Sequence, residues 1–296
     1  MTDPLPRLVT ALGALYEGDG VAWLEAQEPE SVALIVADPP YGIGKAEWDR
    51  FPSLEAYLAW TRRWVAAAHR ALAPTGTLYL MGWSEVLADV KVAVTREAGA
   101  APWAACRWLV WAYRNKANLK DDWGRSHESL LHLRKGERFT FETDAVRIPY
   151  NAHTTRYPER TQAETSRYGG GQKREERWRP HPLGARPRDV IEVPVLANGT
   201  AEKTEHPTQK PVQLVRKLVL ASSRPGELVV DPFAGSGTTA VVAESSGRRW
   251  VALEQDPEHA ARAAARIADP AAHAGMQTTQ SEQATARRRG KLRHGA

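Results

Sequence analysis

The alternation of apolar runs and amphipathic stretches sets out most of this chain. Val32, Leu34, Ile35 and Val36 lie in a short apolar run, Ser31 to Ala37, which stops abruptly at Asp38-Pro39-Pro40. That pattern predicts a buried parallel strand feeding a loop. Next, Leu54, Tyr57, Leu58, Trp64, Val65, Ala68 and Leu72 fall at helical spacing, and Pro74 and Gly76 end the helix. Thr77–Met81 predicts a strand, Glu85–Ala98 a helix closed by Gly99, and Arg107–Tyr113 and Ser129–Leu133 two more strands. Further on come a helix over Pro211–Ser222, with proline in its first turn, and a strand over Glu227–Val230. A helix over Thr238–Ser246, a strand over Arg249–Leu253 and a helix over Pro257–Ile267 follow. Ahead of all these, residues 8–20 read as an opening segment ending at a Gly18-Asp19 turn, and Val21–Gln27 as a short helix. Repeated strand–helix–strand spacing predicts an α/β sheet with helices on its faces.

The pattern breaks between about Thr140 and Glu205. Periodicity fades, and Arg147 to Arg188 holds ten Lys and Arg against four Glu, a net +6 where the whole chain carries +5. A solvated insertion would look like this. So would a positive surface for phosphates, with Tyr157, Tyr168 and Trp178 for base contacts, and the localisation of the charge favours the second reading. The expected organisation is therefore 8–139 and 206–270 as two halves of one domain, 140–205 as an insertion between them, and 271–296 as a disordered tail with the basic stretch Arg287-Arg288-Arg289-Gly290-Lys291-Leu292-Arg293.

Composition narrows the classes. A chain of 296 residues, 42% hydrophobic, can bury a large core. No apolar run approaches the ~20 residues of a membrane span, and Met1–Thr10 has no signal pattern, so a cytoplasmic protein is expected. Cys106 is the single cysteine, which excludes a disulfide or a cysteine-based zinc site within the chain; no metal is expected, and buried filler is its expected role.

Two stretches carry chemistry. Asp38-Pro39-Pro40-Tyr41 sets one carboxylate, one proline carbonyl and one aromatic ring on a loop stiffened by two fixed φ angles. Acceptors beside a stacking surface suit a planar group with an exocyclic amine; a rigid turn alone would use the same residues. Downstream, Asp231-Pro232-Phe233-Ala234-Gly235-Ser236-Gly237-Thr238-Thr239 joins a strand to a helix. Its glycines permit a tight turn and close ligand approach, and the helix start offers free N–H groups. Glu254, 17 residues after Gly237, ends the next strand, where an acid can accept both hydrogen bonds of a ribose diol. A P-loop would need a lysine here. A dinucleotide loop, S-adenosylmethionine and a plain turn all remain open from this loop alone, with S-adenosylmethionine fitting best because it has no pyrophosphate.

The pair together resembles the DNA amino-methyltransferases, which methylate adenine N6 or cytosine N4. Tyr16-Glu17-Gly18-Asp19, Ser31–Gly42, Trp60–Met81, His127-Glu128, Asp189-Val190-Ile191, His206–Pro211 and Val251–Ile267 are similar to family segments in the family's order. The catalytic loop precedes the cofactor loop, the circularly permuted order of the beta class, as in type II modification methylases. The resemblance implies the doubly wound, mostly parallel methyltransferase fold with a target-recognition insertion. It implies S-adenosyl-L-methionine as cofactor and double-stranded DNA as partner, with no membrane; a cognate restriction endonuclease and a homodimer stay open. It places Asp38, Pro39, Pro40 and Tyr41 at the reacting amine of a flipped-out base, Tyr41 stacking on it. Cofactor contacts are implied for Phe233, Gly235, Ser236, Gly237 and Thr238, with Asp231 and Ala234 in the same loop. Glu254 falls at the ribose, Asp19 near the adenine, and Thr208, Gln209 and Lys210 near the methionine end; for Lys210 a pairing with the methionine carboxylate and a first-turn surface lysine both stay open. His259 departs from the family, which has an aromatic there more often. Cytosine C5 chemistry needs a Pro-Cys nucleophile, and Cys106 follows Ala105. Within the family an Asp at position 38 leans towards adenine.

Overall fold

A computed structural model describes residues 5–113, 120–158, 179–269 and 271–272. Tyr168, Trp178 and the basic tail lie outside them. Among the described residues, those before Thr143 and from Arg188 onward form one compact unit, and Thr143 to Pro187 a second.

The first unit is built on a nine-stranded sheet: β1 (Leu5–Val9), β2 (Gly13–Glu17), β3 (Val32–Ala37), β4 (Leu72–Gly82), β5 (Ala105–Ala112), β6 (His127–Arg134), β7 (Val190–Glu192), β8 (Leu228–Asp231) and β9 (Arg249–Glu254). Their spatial order is β1-β2-β9-β8-β3-β4-β6-β5-β7. The five strands from β2 to β4 run parallel; β1, and β6 between β4 and β5, run antiparallel to their neighbours. This is the doubly wound, mostly parallel sheet expected.

Helices α1 (Gly20–Ala26), α2 (Leu54–Ala71) and α3 (Ser84–Thr95) cover one face. The other is covered by α5 (Val212–Ser222), α6 (Thr238–Ser245) and α7 (Pro257–Ala268). In β3, Leu34 and Val36 enter the second core, and Val32, Ile35 and Ala37 the first. A strand buried on both faces has no polar side, so its sequence is nearly continuous in apolar residues. Ser53 caps α2 by accepting from the Ala56 N–H, and Asp256 caps α7, with Pro257 at its first position.

The opening segment differs from expectation. Residues 5–17 form two strands; β2 joins the sheet beside β9, and its turn leads directly into α1. Close backbone contact explains Gly13, where a Cβ would lie 2.1 Å from the Trp250 carbonyl oxygen. In the second unit Ile148 bridges Ala185, α4 (Ala152–Arg156) starts at an Asn151 cap, and Arg147 bonds Asp144 and the Gly184 carbonyl. Tyr157 is half exposed. Residues after 187 rejoin the sheet as β7 beside β5.

Candidate active site

The winding of the chain reverses between β3 and β8, which are hydrogen-bonded neighbours through Leu34–Val229 and Ile35–Val230. Parallel strands end at one edge, so the residues closing them converge there. Asp19 follows β2, Asp38 follows β3, Asp231 ends β8 and Glu254 ends β9. The two chemical loops are thus brought side by side across nearly two hundred residues.

Asp49 fixes the first loop. It is 1% exposed. One of its carboxylate oxygens accepts the N–H of Tyr41 and of Gly42 at 2.6 and 2.7 Å; the other accepts those of Ile43 and Lys45 at 3.3 and 2.9 Å. Tyr57 donates its hydroxyl to the Pro40 carbonyl at 3.1 Å. The second loop is held from several sides. Gly237 takes a left-handed conformation at the start of α6, which glycine adopts without a Cβ penalty. Arg266 of α7 donates to the Ser236 carbonyl and to the Thr238 hydroxyl. Phe233 packs edge-on against Trp64, ring centres 5.3 Å apart. Glu254 accepts from the Gly235 N–H at 2.7 Å and the Asp256 N–H at 2.9 Å. A Cβ on Gly20 would lie 2.0 Å from the Pro232 carbonyl oxygen, so the Asp19 turn and this loop touch backbone to backbone.

Two cavities open at this edge. The larger, about 870 Å³, is lined by Asp19, Asp38, Pro40, Thr208, Lys210 and Glu254, and by Asp231, Phe233, Ala234, Gly235, Ser236 and Thr238. The smaller, about 240 Å³, is lined by Asp38, Pro39, Tyr41, Glu128, Gln209 and the rings of Trp48, Trp83 and Trp111. Asp38 and Lys210 line both. Gly237 lines neither; its Cα faces Ile267, and its part is the turn. Gln209 is buried and holds its own loop, accepting from Thr204 and donating to the Glu202 carbonyl.

Between the cavities lies a charged cluster. Lys210 Nζ is 2.7 Å from Asp38 Oδ2 and 3.6 Å from Glu128 Oε2. The Tyr41 hydroxyl donates to Asp38 Oδ1 at 2.7 Å and also lies 3.3 Å from Glu128 Oε2. Burial alone would lower the Lys210 ammonium, but the charges and hydrogen bonds of Asp38 and Glu128 hold it above the usual lysine value. Burial, and then the same two charges, push the Tyr41 hydroxyl well up. Two acids against one ammonium leave a net negative charge at the junction.

Among known proteins, the DNA methylase family of N6 and N4 methyltransferases matches residues 32–265. The chain belongs to this family. Type II methyltransferase M1.MboII of Moraxella bovis is 31% identical over 243 residues, covering 80% of this chain and 89% of that protein. DNA adenine methyltransferase YhdJ of Escherichia coli K12 is 31% identical over 265 residues, covering 83% and 79%. By shape, the chain is similar to the cytosine-N4-specific PvuII DNA methyltransferase, with a TM-score of 0.66 at 18% identity over 98% of this chain and 96% of that one. It is also similar to TTHA0409 of Thermus thermophilus complexed with S-adenosyl-L-methionine, with a TM-score of 0.55 at 22% identity over 86% and 94%.

This DNA methyltransferase therefore places its acids where the fold converges, and some of the residues that matter escape sequence reading. Asp49 and Arg266 carry no local signal. Glu128 lies in a family-like segment, but only the antiparallel β6, with Ser129 opposite Gly82, brings it to Asp38. Lys210 pairs with Asp38, a contact the sequence reading did not foresee. His259 places its ring 4.6 Å from that of His206, whose imidazole is lowered to about 4 by burial and then by His259.

Burial pushes the Asp231 carboxyl up to about 7; the Asp38 and Glu254 charges add to this, and hydrogen bonds from Thr239 and the Phe233 N–H oppose it. A group protonated to higher pH in the folded chain than in the unfolded one stabilises fully below its unfolded value of 3.8. That contribution is lost as pH rises through about 7. Asp231→Asn should therefore melt several degrees above the parent at pH 8, worth a few kcal/mol, with the gain fading towards pH 4. Thermal melts of both proteins across this range are the check.

Proposed function

We propose that this enzyme transfers a methyl group to the exocyclic N6 of adenine in double-stranded DNA, with the base turned out of the helix. The methyl donor is S-adenosyl-L-methionine, which supplies an electrophilic methyl on a sulfonium sulfur when bound. The charge of the larger cavity suits it: Asp19, Asp38, Glu47, Glu254 and Asp256 face Arg63 and Lys210 there. Such a wall favours a cationic ligand with a ribose diol and disfavours a dinucleotide pyrophosphate. By position, Glu254 and Asp19 serve the nucleoside and the Phe233–Thr238 loop the methionine portion.

The observation that carries the reading is Asp38, common to both cavities, beside a smaller one walled by aromatic rings. An amine nitrogen attached to a purine is a weak nucleophile because its lone pair is delocalised. Hydrogen bonds from the amine to Asp38 and the Pro39 carbonyl localise that pair and align the nitrogen with the methyl, while the negative cluster stabilises the positive charge that develops. Turning the base out costs a few kcal/mol. The net +6 segment from Arg147 to Arg188 supplies phosphate contacts. YhdJ's name, together with the Asp at position 38, favours adenine, and the type II name of M1.MboII supports a place in a restriction–modification system. Labelled methyl transfer to duplex DNA, with the modified base identified by mass spectrometry, tests this: N6-methyladenine is expected. N4-methylcytosine would move the reading to the other branch of the family, and absence of transfer to any DNA would remove it.

A further inference from the structure

Glu128 has so far contributed only its charge, yet it shares both partners of Asp38. Tyr41 Oη is 2.7 Å from Asp38 Oδ1 and 3.3 Å from Glu128 Oε2; Lys210 Nζ is 2.7 Å from Asp38 and 3.6 Å from Glu128. The inference rests on the amine-methylation reading above. We propose that Glu128 is the terminal acceptor of the proton released from the amine, reached from Asp38 through the Tyr41 hydroxyl.

The steps balance. The amine nitrogen forms a bond to the methyl carbon with its lone pair, the electrons of the carbon–sulfur bond stay on sulfur, and one amine proton must leave. Each carboxylate oxygen accepts two hydrogen bonds, so Asp38 Oδ1 can accept from the amine while it holds the Tyr41 hydroxyl. With the hydroxyl turned from Asp38 to Glu128, the amine proton passes to Oδ1 and on to the Tyr41 oxygen as the phenol's own proton passes to Glu128 Oε2. Asp38 ends as a carboxylate, Tyr41 as a phenol and Glu128 as a neutral acid.

Lys210 gives the direction. Coulomb attraction falls with distance, so neutralising Asp38, at 2.7 Å from the ammonium, sacrifices more attraction than neutralising Glu128 at 3.6 Å. The proton is better placed on the farther acid. Exposure does not distinguish the two acids, Asp38 at 22% and Glu128 at 21%; distance from Lys210 sets the direction, and Glu128 is open enough to release the proton to water.

The test compares wild type, Glu128→Gln, Tyr41→Phe and the double variant in single-turnover methyl transfer, with cofactor and DNA affinities measured alongside. Glu128→Gln keeps the size of the side chain but not its proton affinity, and Tyr41→Phe keeps the ring but not the bridge. Each single change should slow transfer by ~10²-fold, with affinities within about 3-fold. The double variant should be no slower than the slower single, since one broken link already stops the relay. The solvent deuterium isotope effect should also differ between wild type and Glu128→Gln. An unchanged rate in Glu128→Gln, or losses that multiply in the double variant, would overturn the relay. Asp38→Ala separates the two readings. If it still transfers methyl, the role given to Asp38 fails and the relay with it; if it is inactive while Glu128→Gln is fully active, only the relay fails.

Discussion

Asp38→Ala is expected to slow methyl transfer by about 10³-fold or more, the scale for losing a group that both positions and stabilises the reacting centre. S-adenosylmethionine affinity should stay within ~3-fold of the parent, because Asp38 is one of several acids in that cavity and the Phe233–Thr238 loop is held without it. The fold should also survive. An ammonium stranded in the interior would cost several kcal/mol, but Lys210 still has Glu128. Labelled transfer, calorimetry with the cofactor and a thermal melt together make the check. Joint loss of transfer and cofactor binding would instead assign Asp38 to holding the ligand or the loop.

Asp49→Ala should be costly in both stability and activity. Its carboxylate is buried and accepts four backbone N–H groups of the Tyr41–Lys45 turn. Truncation leaves those four donors without their acceptor, and about 3–5 kcal/mol is the expected loss. At roughly 2 °C per kcal/mol for a large domain, the melting temperature should fall by ~6–10 °C. Transfer should drop by about 10²-fold even where the chain is folded, because the loop carrying Asp38 and Tyr41 is no longer held in place. Asp49→Asn retains one accepting oxygen and should fall between the two. An alanine variant with unchanged melting and rate would show that the prolines alone hold the loop.

Both variants probe one division of labour. Local rigidity comes from Pro39 and Pro40, which restrict the backbone wherever they occur. Placement comes from Asp49 and Tyr57, which lie farther along the chain and anchor the turn through its backbone groups. The cofactor loop repeats this: Gly237 makes the bend, and Arg266, far along the chain, pins it.

The sequence by itself determined most of the elements and the family. β3, α2, β8, α6, β9 and α7 were legible because burial on one stripe or two faces leaves a period in the residues, and the two loops were legible because Pro, Gly and Asp act over a few positions. Tertiary structure decided what depends on pairing between distant segments. The strands β1 and β2 are short, with Leu5 and Val9 exposed, so they leave little pattern, and only pairing with β9 defines their edge of the sheet. Glu128 and Lys210 lie in family-like segments, but nothing local in the chain pairs either with the Asp38 loop. They become a cluster because β6 runs antiparallel beside β4 and because the segment before α5 meets the loop after β3, and Lys210 lies 172 residues from the acid it pairs with. Side-chain period is a property of one segment; a partner is a property of two, and it exists only once the chain has folded.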